Sequence, residues 1–254
     1  MTVVELLRRR AAEEPDRTAY VFLRDGLEED DSLTYGQLDL RARAVAAALQ
    51  EITEPGDRAL LLYAPGLEFV AGFCGCLYAG VVAVPLYAPT NNRGLGRILS
   101  VLEDSRPEVA LTTSDVLDKA REQLPADTRW LATDTVPSDA AAWREQTIAP
   151  EALAHLQYTS GSTAEPKGVI VSHRNLLHNL MDMDRAWEHT PESSIVSWLP
   201  TFHDMGLVYG ALAPLYAGIP GYLMAPVAFI QRPVRWLQAI SRLRATHSVA
   251  PNFA

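Results

Sequence analysis

Between Leu156 and His173 the sequence reads LQYTSGSTAEPKGVIVSH. Thr159, Ser160, Ser162 and Thr163 put four hydroxyls within five residues, and Gly161 among them lets the backbone approach a ligand closely and adopt positive φ. Ala164, Glu165 and Pro166 lead into Lys167, one of only two lysines in the chain, the other being Lys119. Backbone N–H groups and hydroxyls of such a loop suit an anion, and the lysine adds a mobile positive charge. Pro166 limits the freedom of the segment that carries the lysine. Together these residues describe a cradle for phosphate groups. A polar surface loop is the plain alternative, since Ser, Thr and Gly often cluster in loops. The Pro-Lys-Gly ending argues against it.

Two other chemistries fail on spacing. Counted from Gly161, Lys167 falls where the lysine of a Walker loop would stand, but Pro166 replaces the required Gly and Gly168 the required Ser or Thr. The segment that follows also reads as a strand, not a helix. No Gly-x-Ser-x-Gly elbow of a serine hydrolase is present.

A second constellation is SWLPTFHDMGLVYGAL, residues 197 to 212. Phe202 offers an aromatic wall and His203 a donor or general acid–base. Asp204 can orient the histidine or cap the helix that follows. On composition alone, a simple cap and a functional pair stand level. Tyr209 and Gly210 are candidates for the wall of an apolar tunnel. Other candidates are weaker. Cys74 and Cys76 sit in an apolar run, too close for an ordinary disulfide, and read as small buried residues. His173 and His178 are five apart, not the i, i+4 spacing of a helical metal pair. Ser172 reads as the N-cap of their helix, and no metal site is expected. Trp198, Trp236, Tyr209 and Tyr216 read as core residues, with the tunnel wall as the alternative for Tyr209.

These residues must be held by alternating elements. A helix is expected from about Val3 to Glu14, then a β-hairpin turning at Asp25-Gly26, then a helix with Leu38, Ala42, Val45 and Leu49 on one face. Short apolar strands then alternate with helices up to about Thr133. Residues 134–152 are the most loop-like stretch and the expected connection between a first α/β portion, 1–133, and a second, 153–254. In the second portion, strands flank the hydroxyl-rich loop, helices are expected at 174–187, 206–218 and 233–245, and strands at 194–200 and 221–226. The pattern implies an α/β fold of mostly parallel sheets covered by helices.

The 254 residues carry a formal net charge of −9, opposite in sign to what a general nucleic-acid or anionic-membrane binder needs. An anionic small ligand must therefore be held by local donors. The amino terminus is charged and amphipathic rather than a signal peptide, and no apolar run reaches membrane-spanning length, which makes the cytoplasm the expected location. The chain stops on the apolar run THSVAPNFA, and the expectation is a fragment of a longer protein.

YTSGSTAEPKGV resembles the phosphate-binding signature of the adenylate-forming enzymes, which include acyl-CoA synthetases, peptide-synthetase adenylation domains and luciferases. Ala164 departs from the Gly usual there. WLPTFHDMGL, PVRWLQAISRLRATHSVAPNFA and GDRALLLYAPGLEFVAGFCGCLYAGVVAVPLYAP are similar to the fatty acyl-AMP ligase branch, as is the opening VELLRRRAAEEPDRTAYVFL. The likeness runs through the whole chain and implies about the first half of the family's large amino-terminal domain, with the carboxy-terminal domain absent. It implies ATP and Mg²⁺, with Thr159 through Lys167 on the β- and γ-phosphates. Lys167 and the hydroxyls would hold departing pyrophosphate, and His203 would sit near the fatty-acid carboxylate as it attacks the α-phosphorus. Phe202, Asp204, Tyr209 and Gly210 are the remaining substrate-binding candidates. In that branch the acyl group usually passes to the phosphopantetheine of an acyl carrier protein, often in a polyketide or peptide synthase line. An acyl-CoA synthetase, or a non-catalytic fragment that binds nucleotide or acyl chain, are the alternatives. The family's ribose-binding Asp, its acidic Mg²⁺ motif and its carboxy-terminal lysine would all lie beyond residue 254, so the isolated chain is expected not to turn over usefully.

Overall fold

The structure is a computed structural model that describes residues 1–89, 94–159, 167–252 and 254. Helix α1, Val3–Glu13, opens with a capping box in which Thr2 and Glu5 satisfy each other's backbone N–H groups. Strands β1, Thr18–Arg24, and β2, Glu28–Thr34, form the expected hairpin. Asp25 and Gly26 both have positive φ, 48° and 79°, the conformation whose twist matches a two-stranded ribbon. Glycine suits position 26 because of its positive φ, and a Cβ there would also stand 3.2 Å from Arg235 Cβ and push the Met224 side chain aside. Helix α2, Tyr35–Gln50, starts at a second capping box, Thr34 with Gln37.

Strand β3, Arg58–Tyr63, helix α3, Leu67–Ala79, strand β4, Val82–Tyr87, helix α4, Leu95–Ser105, strand β5, Val109–Thr112, helix α5, Ser114–Arg121, and strand β6, Trp130–Ala132, then alternate as the apolar pattern requires. Two short 3₁₀ turns, Thr133–Thr135 and Ala140–Ala142, occupy the loop-like stretch. Strands β7, Leu153–Thr159, and β8, Lys167–Ser172, follow, and helix α6, His173–Trp187, is capped by Ser172 through a box with Asn175. The chain continues through β9, Ile195–Ser197, a π-helical segment Gly206–Leu212 running into α7, Ala213–Ala217, then β10, Gly221–Met224, α8, Pro226–Gln231, α9, Val234–Leu243, and β11, His247–Ser248.

Two sheets result, with orders β11-β9-β10-β1-β2 and β6-β5-β3-β4-β7-β8. Each is parallel except for one antiparallel edge strand, β2 in the first and β8 in the second. The sheets are not filled in chain order. β1 and β2 join strands from beyond residue 194, while β7 and β8 join β3–β6, so both flanks of residues 134–152 belong to one sheet.

The pleat decides the layers. Ala59 and Leu61 of β3 face a core shared with β1, α1, α2, α3 and α6, whereas Leu60 and Leu62 face Ile98 and Val101 of α4 on the other side. Val21, Leu23 and Val196 pack outward against Phe229 and Ala239 of α8 and α9. The order of layers is helix, sheet, helix, sheet, helix, with the small residues of α3, including Gly72, Cys74, Gly75 and Cys76, letting that helix lie between the sheets. Burial pushes the Cys74 thiol up to about 12 and Cys76 also upward, so both are inert packing groups. Among the described residues no helix is long and apolar enough to cross a membrane.

Candidate functional site

β7 runs parallel to β4, with Ala83 opposite His155, and turns back as β8, with Thr159 opposite Lys167. The hydroxyl-rich residues Ser160, Gly161, Ser162, Thr163, Ala164, Glu165 and Pro166 lie outside the described residues. Their two neighbours in sequence do not. Thr159 and Lys167 are both exposed and paired at the same end of the hairpin, and Lys167 makes no ion pair among the described residues.

Next to that end lies a cavity of about 220 Å³ lined by Leu86, Tyr87, Arg97, Gln157, Tyr158, Thr159, Phe202, His203 and Asp204. Two constellations far apart in sequence thus meet at one place. Phe202 is held by Tyr87, whose ring meets it edge-on at 5.6 Å, and by Gln157, whose Nε2 donates to the Phe202 carbonyl at 3.0 Å. The Tyr87 hydroxyl donates to the Gly94 carbonyl at 2.6 Å, tying β4 to the start of α4. Arg97 Nη2 donates to the Tyr158 carbonyl at 3.1 Å, and the Tyr158 hydroxyl donates to the Asp104 carboxylate, so α4 is strapped to β7 at two points.

His203 Nδ1 lies 2.5 Å from Asp204 Oδ1, and the same oxygen accepts from the Met205 N–H at 2.6 Å. Asp204 therefore accepts from both groups and selects the tautomer protonated on Nδ1, leaving Nε2 for a ligand, while the helical segment that follows has no side-chain cap hydrogen bond. Of the two roles level on composition, the structure holds the pair with His203 and not the cap. The His203 carbonyl accepts the Leu207 N–H at 2.7 Å and opens the helix. That helix is π-wound from Gly206 to Leu212, a rare form concentrated at functional sites. Pro214 gives a physical reason, since it cannot donate to the turn before it and its ring crowds that turn's carbonyl. The Tyr20 hydroxyl donates to the Ala211 carbonyl within the widened segment.

Tyr209 and Gly210 stand apart from this cavity. Tyr209 is 1% exposed, with its ring 4.9 Å from Trp187, and burial raises the pKa of its hydroxyl. Gly210 lies against β9, where a Cβ would be 2.7 Å from Ser197 Oγ. A second cavity of about 410 Å³, mostly apolar, shares Tyr87 and Phe202 with the first and extends past Phe22, Tyr63, Leu199 and Met224. Gln157, Arg97 and Tyr87 were not singled out from the sequence. A glutamine within an apolar strand and an arginine in the first turn of a helix were the available signals. Of the weaker candidates, His173 is buried and accepts the Val3 N–H on Nδ1 at 3.3 Å, while His178 is exposed.

The smaller cavity faces a guanidinium, an imidazole and a threonine hydroxyl, donors suited to an anion such as a nucleotide phosphate, beside the Asp204 carboxylate that pairs with the imidazole. Among the described residues no group of three or more His, Cys, Asp or Glu could hold a metal ion.

A family model described as AMP-binding enzyme matches residues 7–253. The chain is 45% identical to the medium-chain fatty acid–acyl-carrier-protein ligase JamA of Moorena producens, over 100% of this chain and 44% of that protein. It is 40% identical to the long-chain fatty acid–AMP ligase FadD32 of Mycolicibacterium smegmatis, over 100% of this chain and 42% of that protein. It thus spans less than half the length of these relatives. Among solved structures, a fatty acyl-adenylate ligase from Legionella pneumophila in complex with acyl adenylate and pyrophosphate superposes with a TM-score of 0.94 at 41% identity, over 99% of this chain and 44% of that one.

Proposed function

The chain belongs to the AMP-binding enzyme family, and on that premise we propose that the protein activates a fatty acid with ATP and then passes the acyl group to an acyl carrier protein. The observation that carries this reading is the meeting of Thr159 with Phe202, His203 and Asp204 on one anion-suited cavity that adjoins a larger apolar one. The acyl chain has room in the apolar cavity, its carboxylate reaches past Phe202, and the phosphates lie toward Thr159 and Lys167.

In the first step a carboxylate oxygen attacks the α-phosphorus. The bond from that phosphorus to the bridging oxygen breaks, and acyl adenylate and pyrophosphate result. Such chemistry depends on positioning and on neutralising phosphate charge. Lys167, with the hydroxyls of 160–163, holds the pyrophosphate as charge builds on it. His203 Nε2 meets the carboxylate side, its ring held by Asp204 through Nδ1. Phe202, fixed by Tyr87 and Gln157, separates the acyl chain from the polar side. In the second step the carrier's phosphopantetheine thiol displaces AMP from the acyl carbon, forming a thioester. The name of JamA, an acyl-carrier-protein ligase, supports a carrier as acceptor.

The test is ATP–pyrophosphate exchange by the full natural chain that carries residues 1–254. Exchange should require a medium- or long-chain fatty acid, and the acyl group should then appear on a carrier protein. Exchange that ignores fatty acids rejects the adenylation reading. Transfer to coenzyme A in preference to carrier protein rejects the second step alone.

A further inference from the structure

We propose that Arg97 binds the pyrophosphoryl part of the nucleotide; this rests on the phosphate side of the reading above and names a residue that neither sequence motif contains. Helix α4 starts after Gly94, and Arg97 stands in its first turn, which holds no acidic residue. The first turn is the positive end of a helix and favours carboxylates, so an arginine there is locally unfavourable. Departures of this kind concentrate where function outweighs local preference.

The surroundings supply the function. Arg97 lines the 220 Å³ cavity together with Thr159 and His203. One of its five N–H groups goes to the Tyr158 carbonyl, which fixes the guanidinium beside the end of β7. Among the described residues its Nε is buried with no hydrogen-bond partner and the side chain meets no carboxylate. Arg8, Arg10 and Arg43 also have a buried Nε without a partner, but each of them is paired with an acid. A half-buried guanidinium with donors to spare, at the positive end of a helix, matches an oxyanion. Its planar fork suits a phosphate through two parallel bonds. In a chain of net charge −9, the attraction for an anion has to be local. The fatty carboxylate has the same chemistry in part, so both anions enter the test.

The experiment titrates the full natural chain calorimetrically with inorganic pyrophosphate and, separately, with octanoate. Arg97→Met should raise the pyrophosphate Kd at least tenfold and the KM for ATP with it, while the octanoate Kd stays within twofold. If Arg97→Met does not fold, Arg97→Gln, which keeps an N–H donor for the Tyr158 carbonyl without the charge, gives the same reading. Asp104→Ala separates binding from strapping. It removes the acceptor of the Tyr158 hydroxyl and loosens α4 from β7 while the charge stays, so it should lower the melting temperature and leave the pyrophosphate Kd within twofold. An unchanged pyrophosphate Kd in the Arg97 variants overturns the proposal, as does an equal loss in Asp104→Ala or a loss confined to octanoate. Pyrophosphate binding that needs Arg97 in a protein showing no fatty-acid-dependent exchange rejects the adenylation reading and leaves this one standing.

Discussion

Lys167 starts an edge strand, faces solvent and has no acidic partner among the described residues. Its removal should therefore cost the fold little and the chemistry much. A charge-assisted bond to a phosphate contributes roughly 1.5–3 kcal/mol, equivalent to about 10- to 100-fold in rate or affinity. Lys167→Met should lower ATP–pyrophosphate exchange by about that factor while the melting temperature moves by no more than about one degree. Exchange within twofold of wild type would remove Lys167 from the site. Its candidacy was legible because a lone lysine after a run of hydroxyls and a proline is a local signal. Arg97 and Gln157 were not legible in the same way. Their importance comes from which strand end and which carbonyl they face, and spacing along the chain does not encode that. The paired role of Asp204 was open in the sequence because one carboxylate oxygen can serve His203 and the Met205 N–H together only in a particular rotamer.

At the scale of elements, the capping boxes at Thr2, Thr34 and Ser172 and the hairpin at Asp25-Gly26 are local codes, and the hairpin and the Ser172 cap were read directly. Helix α8 was missed, because Pro226–Gln231 is too short for a periodic pattern to emerge before Pro233. The π-winding of 206–212 was also invisible, since its apolar pattern reads as an ordinary helix. The difference has a consequence for Gly210. A tunnel wall would tolerate a larger residue at the expense of acyl length, but Gly210 is buried against Ser197, with 2.7 Å between Oγ and the position of a Cβ. Gly210→Leu should therefore destabilise the protein by about 1–3 kcal/mol through overpacking. Urea unfolding would measure this. A stable variant with a shortened acyl preference would instead restore Gly210 to the substrate wall.

At the scale of the whole molecule, the alternation of elements pointed to mostly parallel sheets but not to their number or membership, because pairing β1 with β10 joins residues about two hundred positions apart and leaves no periodic trace. The interleaving buries two histidines. His155 of β7 meets Phe73 of α3 at 5.9 Å between rings, and His173 at the start of α6 accepts the Val3 N–H of α1. Each is 1% exposed. Burial lowers both from 6.5 to about 4; His173 lowers His155 further, while Glu5 partly opposes the shift at His173. The unfolded chain takes up these protons near pH 6.5, the folded chain only near pH 4. Between those values the unfolded state binds more protons, so stability is fully present above the window and declines as pH falls through it. The expected loss between about pH 7 and pH 5 is about 2 kcal/mol per histidine. Urea midpoints across that range should fall steadily for the native protein. They should fall about half as steeply for His155→Leu, which also removes a ring nitrogen that has no hydrogen-bond partner. An unchanged slope would mean that His155 takes up its proton in the folded protein, and that α3, β7 and α6 part enough below neutral pH to let water reach it.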